Sequence, residues 1–214
     1  MTISPSQKRI RKPTGTEIIG ITGGLATGKS TVSALLRRSG YFVIDTDAIA
    51  HDVVKPHQKA FRQIVEAFGQ AIISKDGTID RDALAQLVFI NKTKRKELEA
   101  IVHPEVKKAV KNIIDILKKQ KPRLIFLEVP LLFETDFHKL CHQTVCVTSS
   151  QSHQLERART KRHMSRSQAL ARIRAQMSLS KKCKRADFVI ENNAGKKELT
   201  QKIKIWLKAL SCSW

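Results

Sequence analysis

The chain is short of acid. It holds 19 Asp or Glu against 40 Lys or Arg in 214 residues, a formal net charge of +21. So basic a chain attracts anions, and nucleic acid, an anionic lipid surface and a polyphosphate ligand are the candidates. Charge alone does not choose among them. Aromatic residues are scarce too, at 5%. The basic stretches therefore lack interleaved rings, and no RNA- or DNA-binding motif appears, which argues against specific nucleic-acid recognition. Cysteine is limited to Cys141, Cys146, Cys183 and Cys212, with no C-x-x-C spacing. That excludes a small disulfide scaffold and reads as free thiols in a cytoplasmic, reducing compartment. His138, Cys141, His142 and Cys146 invite a metal reading. Their spacing matches no zinc pattern, and they run into a strand whose alternate side chains point opposite ways. No apolar run reaches the roughly 18–20 residues of a membrane span. What remains is ample for a core, because 41% of the residues are apolar.

Residues 1–16 are basic, with prolines at 5 and 13 and no apolar stretch behind them. They read as a flexible, solvated tail rather than a secretory signal or an amphipathic presequence. From there the texture alternates. Ile18–Thr22 is a β-branched run ending in glycines, a helical pattern starts at Ser30, Gly40 stops it, and Tyr41–Asp45 is a second apolar run. Strand, glycine turn, helix, strand is the signature of a parallel βαβ unit. Residues 48–120 are helical in pattern, with a turn at Lys75-Asp76-Gly77. Pro104 predicts a break, one helix ending near Val102 and another beginning with Pro104 in its first turn. Further short strands are expected at 124–129, 145–147 and 188–190, with a closing helix over 196–210. The fold class that follows is α/β, a doubly wound five-stranded parallel sheet. Its nucleotide-binding core spans 17–47, 121–150 and 186–214, with helical excursions over 48–120 and 151–185.

Residues 23–30 read Gly-Gly-Leu-Ala-Thr-Gly-Lys-Ser and fit the phosphate-loop pattern G-x-x-x-x-G-K-[ST]. Glycines let consecutive N–H groups converge on a phosphate chain, and the following helix adds the positive end of its dipole. Gly24, Ala26, Thr27, Gly28, Lys29, Ser30 and Thr31 are thus the candidate nucleotide contacts. Lys29 is placed to reach the β and γ oxygens of a nucleoside triphosphate, and the Ser30 hydroxyl to ligate Mg²⁺. The pattern alone leaves kinase, GTPase and mechanical ATPase open.

Ligands gather beyond the carboxyl ends of parallel strands, so Asp45 and Asp47, after the second strand, are expected to face the same crevice. Asp47 is the candidate that orients an acceptor alcohol and takes its proton. The competing reading makes it a helix N-cap. Asp45 either caps or holds Mg²⁺ through water. Glu128, near the end of the third strand, is a candidate acidic metal-side residue. Glu134, just beyond it, reads equally as a substrate contact or an exposed loop charge. His103 reads as a helix cap or a ligand contact. Residues 151–185 carry eleven Lys or Arg against one Glu. Such a segment suits a mobile lid over developing phosphate charge, although most charge runs are merely solvated faces. Arg157 stands soonest after the fourth strand and is the candidate lid cation.

Taken together, IGITGGLATGKSTV (19–32), VIDTDAIAHDVV (43–54), VHPEV (102–106), EVPLLFE (128–134), QLERARTKR (154–162) and ADFVIENN (186–193) resemble the dephospho-coenzyme A kinase family. The resemblance covers about Ile18 to Leu210. It implies a phosphate-loop kinase core, a helical substrate-binding subdomain at 48–120 and a lid at 151–185. It further implies transfer of the ATP γ-phosphoryl to the ribose 3′-hydroxyl of dephospho-CoA, giving coenzyme A and ADP. On that resemblance Asp47 is the acceptor-side carboxylate, residues 26–31 hold ATP, and Arg157 is the lid arginine near the phosphates. Two departures stand out. Ala26 occupies a loop position where the family often has Gly, and Lys161-Arg162-His163 replaces an R-D-G pattern in the lid. A kinase for another small alcohol and a nucleotide-dependent nucleic-acid binder are the competing functions.

Overall fold

The computed structural model describes residues 15–212, with side chains up to residue 210. The expected tail lies outside this range except for residues 15 and 16, as does the Cys212 side chain. By contact density the chain divides into two compact units, 1–44 with 117–214, and 45–116.

In the first unit β1 (Glu17–Gly23) is buried along its whole length. It leads through a glycine loop into α1 (Lys29–Arg38), and β2 (Phe42–Asp45) follows. In the second unit come α2 (Thr46–Asp52), α3 (Lys59–Phe68) and α4 (Arg81–Ile90). The long α5 (Lys92–Lys118) returns the chain to β3 (Leu124–Glu128) and β4 (Gln143–Thr148). Then follow α6 (Gln151–Arg162), α7 (Arg166–Arg174), α8 (Leu179–Arg185), β5 (Phe188–Glu191) and α9 (Gly195–Cys212). The sheet is parallel, in the order β2-β3-β1-β4-β5, with Ile19 opposite both Phe126 and Gln143. β1 is central because its run is apolar on both faces, as a strand covered from both sides must be. Helices α1 and α9 pack against one face, where Trp206, Phe126, Ile19, Val32 and Leu199 form the main core. Phe126 meets Trp206 edge-on with centroids 5.7 Å apart. Helix α8 lies against β1 and β4.

The second unit has its own small core of Ile64, Ile72, Ile79 and Leu84, against which Leu98, Ile101 and Val102 pack. The expected turn at 75–77 is there. Asp76 Oδ1 accepts from Ser74 Oγ, Thr78 N and Thr78 Oγ1 at 2.5, 3.0 and 2.8 Å, and Gly77 supplies φ 79°. These donors favour the charged carboxylate and lower the Asp76 pKa to about 2.

The break predicted at Pro104 does not occur. Helix α5 runs through it unbroken. A proline inside a helix removes one backbone bond and crowds the preceding turn. Burial on both sides offsets that cost: Ile101 and Val102 pack before it, and Val106, Val110 and Ile114 are buried after it. His103 is therefore a half-buried mid-helix residue, not a helix cap.

Candidate active site

The loop between β1 and α1 is built by close approach. A Cβ on Gly23 would strike the carbonyl oxygen of Val147 on β4, and one on Gly28 would strike the Asn192 side-chain amide. Gly28 also sits at φ 101°, which favours glycine. Ala26 adopts φ 54°. Its methyl group is tolerated there at roughly 1–2 kcal/mol of left-handed strain. Thr27 is buried, and its hydroxyl donates to the Gly24 carbonyl at 3.1 Å. The Lys29 ammonium donates to the carbonyls of Gly23 and Gly24 at 3.1 and 2.9 Å, so it lies across the mouth of the loop. Ser30 and Thr31 occupy the first turn of α1, with Ser30 exposed. The turn holds no acidic side chain to compete for an anion.

Asn192 is a residue to which the sequence reading assigned no role. It follows β5, is buried, and donates from Nδ2 to the Thr27 carbonyl at 2.8 Å, bracing the loop from the far edge of the sheet. Its own carbonyl accepts from Arg157 Nη2 at 2.9 Å and from Ser149 Oγ at 3.1 Å. Arg157 Nη1 reaches Ser149 Oγ at 3.3 Å. Arg157 and the glycine loop are thus joined through one asparagine, which lies 165 positions from Thr27 in the sequence. Only the E-N-N context after a short strand hinted at this, and no local pattern identifies such a brace.

Glu134 is neither idle nor a free loop charge. Its Oε1 pairs with the Lys182 ammonium at 3.0 Å and accepts the Met177 amide at 3.0 Å. Lys182 is fully buried and also donates to the Pro130 carbonyl at 2.5 Å. A buried ammonium is tolerated only when paired and hydrogen-bonded, so this knot pins the end of the basic segment to the loop after β3.

In the second unit Asp45, not Asp47, caps α2. Its Oδ1 accepts from Asp47 N at 3.0 Å and Ala48 N at 3.3 Å. Asp47 is exposed, one position inside the first turn of α2. Glu128 is buried at the end of β3.

Of the four residues whose types invite a metal reading but whose spacing argues against it, His142 Nδ1 accepts the Ile18 amide at 2.9 Å, and the Cys141 thiol donates to Phe137 O at 3.5 Å. The Cys183 thiol donates to Cys146 Sγ at 3.5 Å, and both cysteines are free of a disulfide. Among the described residues no group of three His, Cys, Asp or Glu is arranged to hold a metal. Likewise no described helix is long and apolar enough to cross a membrane.

The family model for dephospho-CoA kinase matches residues 17–198. The chain belongs to the dephospho-CoA kinase family. It is 44% identical to the dephospho-CoA kinase of Oceanobacillus iheyensis over 86% of this chain and 92% of that one. A crystal structure of a Thermus thermophilus protein superposes with a TM-score of 0.81 at 38% identity, over 92% of this chain and 98% of that one. The dephospho-CoA kinase structure from Campylobacter jejuni gives 0.70 at 27% identity, with the same coverage. Dephospho-CoA kinase catalyses the last step of coenzyme A synthesis, so the chain is an ATP-using phosphotransferase acting on dephospho-CoA.

Proposed function

We propose the following division of labour for phosphorylation of the ribose 3′-hydroxyl of dephospho-CoA. The amides of Gly24 to Thr31 and the ammonium of Lys29 hold the ATP polyphosphate; Lys29 turns from the Gly23 and Gly24 carbonyls to the β and γ oxygens. Arg157 stabilises charge on the moving phosphoryl group from its seat on Asn192. Asp47 orients the acceptor alcohol and takes its proton. Positioning and electrostatics supply most of the rate, as in phosphoryl transfer generally. Residues 151–185 act as the lid. Residues 48–120, with His103 on α5, form the dephospho-CoA side. Glu134 serves that substrate by fixing residues 177–182 rather than by a free carboxylate. The reading is of a cytoplasmic enzyme.

The donor set suits Mg²⁺, which takes one or two protein oxygens and fills its shell with phosphate and water. The exposed Ser30 hydroxyl at the start of α1 would hold it. Bound there, the ion supplies neutralisation of the phosphate charge.

The observation that carries this reading is the bond from Asn192 to Thr27, which ties the phosphate loop and Arg157 into one unit. A coupled ADP-release assay with Asp47→Asn tests it. ATP affinity should stay within about threefold, while turnover falls on the order of 10²–10⁴-fold, the contribution of a positioned general base. Unchanged turnover removes Asp47 from the chemistry.

A further inference from the structure

The +21 charge is not spread evenly. Residues 45–116 hold twelve Lys or Arg and eleven Asp or Glu, whereas the rest of the chain holds 28 and eight. Part of that excess belongs to the lid. Another part lies where the reaction has no use for it. All five strands start at one edge of the sheet, and the phosphate loop leaves the opposite edge. Helix α1 runs back from the loop and ends at the starting edge with exposed Arg37 and Arg38. The turn that enters β3 brings exposed Lys118, Lys119, Lys121 and Arg123 to the same edge. Helix α1 packs against β3, which makes these two groups neighbours. Of the carboxylates at this edge, Glu17 is buried and faces Arg123 electrostatically, and Asp187 accepts from Thr144 N and Oγ1 at 2.8 Å each, so the basic patch is made by Arg37, Arg38, Lys118, Lys119 and Lys121.

Distance separates these cations from catalysis. Ten residues of α1 span about 15 Å, nearly two Debye lengths of about 8 Å at physiological salt. Charge placed there is screened from a nucleotide in the loop, so ATP binding does not account for it.

We propose that this basic edge docks the phosphate backbone of a nucleic-acid duplex, without sequence choice. Lys and Arg without aromatic neighbours suit phosphates rather than bases. Among the described residues of this unit, Tyr41, Phe126, Phe188 and Trp206 pack against one another in the core and are not available to stack on single strands. A membrane surface is disfavoured because a lipid anchor needs exposed apolar residues beside the cations. Among the described residues the exposed large hydrophobics are Leu87, Phe89, Ile90 and Ile116 in the second unit, and Ile205 in this one.

The test is fluorescence anisotropy of the full chain with labelled 20-base-pair DNA and RNA duplexes, over a salt series. Five phosphate contacts predict a slope of log affinity on log salt of about −4.5. The triple variant R37E/R38E/K121E should reduce that slope by about 3 and weaken binding at 50 mM salt at least tenfold, with kinase turnover unchanged. Saturating ATP or dephospho-CoA should not displace the duplex. Preference between the DNA and RNA arms identifies the source. The proposal fails if neither duplex is retained at 50 mM salt, if single strands bind tighter, or if the substrates displace the duplex. It also fails if the triple variant binds as wild type, if neutralising Lys8, Arg9, Arg11 and Lys12 alone abolishes binding, or if anionic vesicles are held and duplexes are not.

Discussion

Residues 45–116 and the rest of the chain solve different problems. The first region is nearly neutral, carries a small helical core, and leaves Phe89 and Ile90 at 79% and 85% exposure. The second is strongly basic, buries its β1 strand completely, and concentrates the large aromatic packing around Phe126 and Trp206. A rigid, sheet-backed unit suits a loop whose amides must stay aligned on phosphate, because preorganised donors cost no reorganisation during reaction. A smaller core makes the helical region the cheaper one to open locally. Net charge, read for the whole chain, hides this division entirely.

The sharpest way to break the comparison is to strike the phosphate side alone. Lys29→Ala should lower turnover at least 10²-fold and weaken ATP as well, in contrast to Asp47→Asn, measured by the same ADP-release assay. Equal losses from the two variants in both parameters would erase the distinction between the regions. Next in size, Trp206→Ala should destabilise the sheet unit by about 3–5 kcal/mol and Ile64→Ala the helical unit by about 2–5 kcal/mol. Hydrogen exchange should show each loss of protection confined to its own unit; a loss shared by both would mean that they open as one. Asn192→Ala should raise the ATP KM about tenfold, since it removes the bond to Thr27 and the seat of Arg157 together. Smallest is Ala26→Gly, which relieves the left-handed strain and should change stability by about 1 kcal/mol without altering turnover. A pH test sharpens the helical side. Because the Asp76 pKa is depressed, its bonds to Ser74 and Thr78 are intact above the ordinary carboxylate range and are lost as pH falls through about 2. A carboxyl chemical-shift titration with its midpoint near 4 would contradict that turn.

Much of this protein was legible before any fold was seen. The glycine loop announced itself because phosphate binding needs small residues, a lysine and a helix start in fixed order. The strands announced themselves because a sheet covered on both faces reads as continuous apolar runs. Pro104 misled for a physical reason: its local cost is visible in sequence, while the burial of Val106 and Val110 that offsets it is not. The Asp45 and Asp47 pair could not be assigned from spacing, since either can cap a helix; the backbone bonds to Asp45 decided it.

The sequence by itself determined the phosphate loop, the alternation of strands and helices, and the family, because each is written in neighbouring residues. Only the tertiary structure decided that Asn192 braces Thr27, that Glu134 is committed to Lys182, and that Arg37, Arg38, Lys118, Lys119 and Lys121 gather at the edge away from the loop. Those relations join residues far apart in the chain, and strand order in the sheet, not local propensity, brings them together.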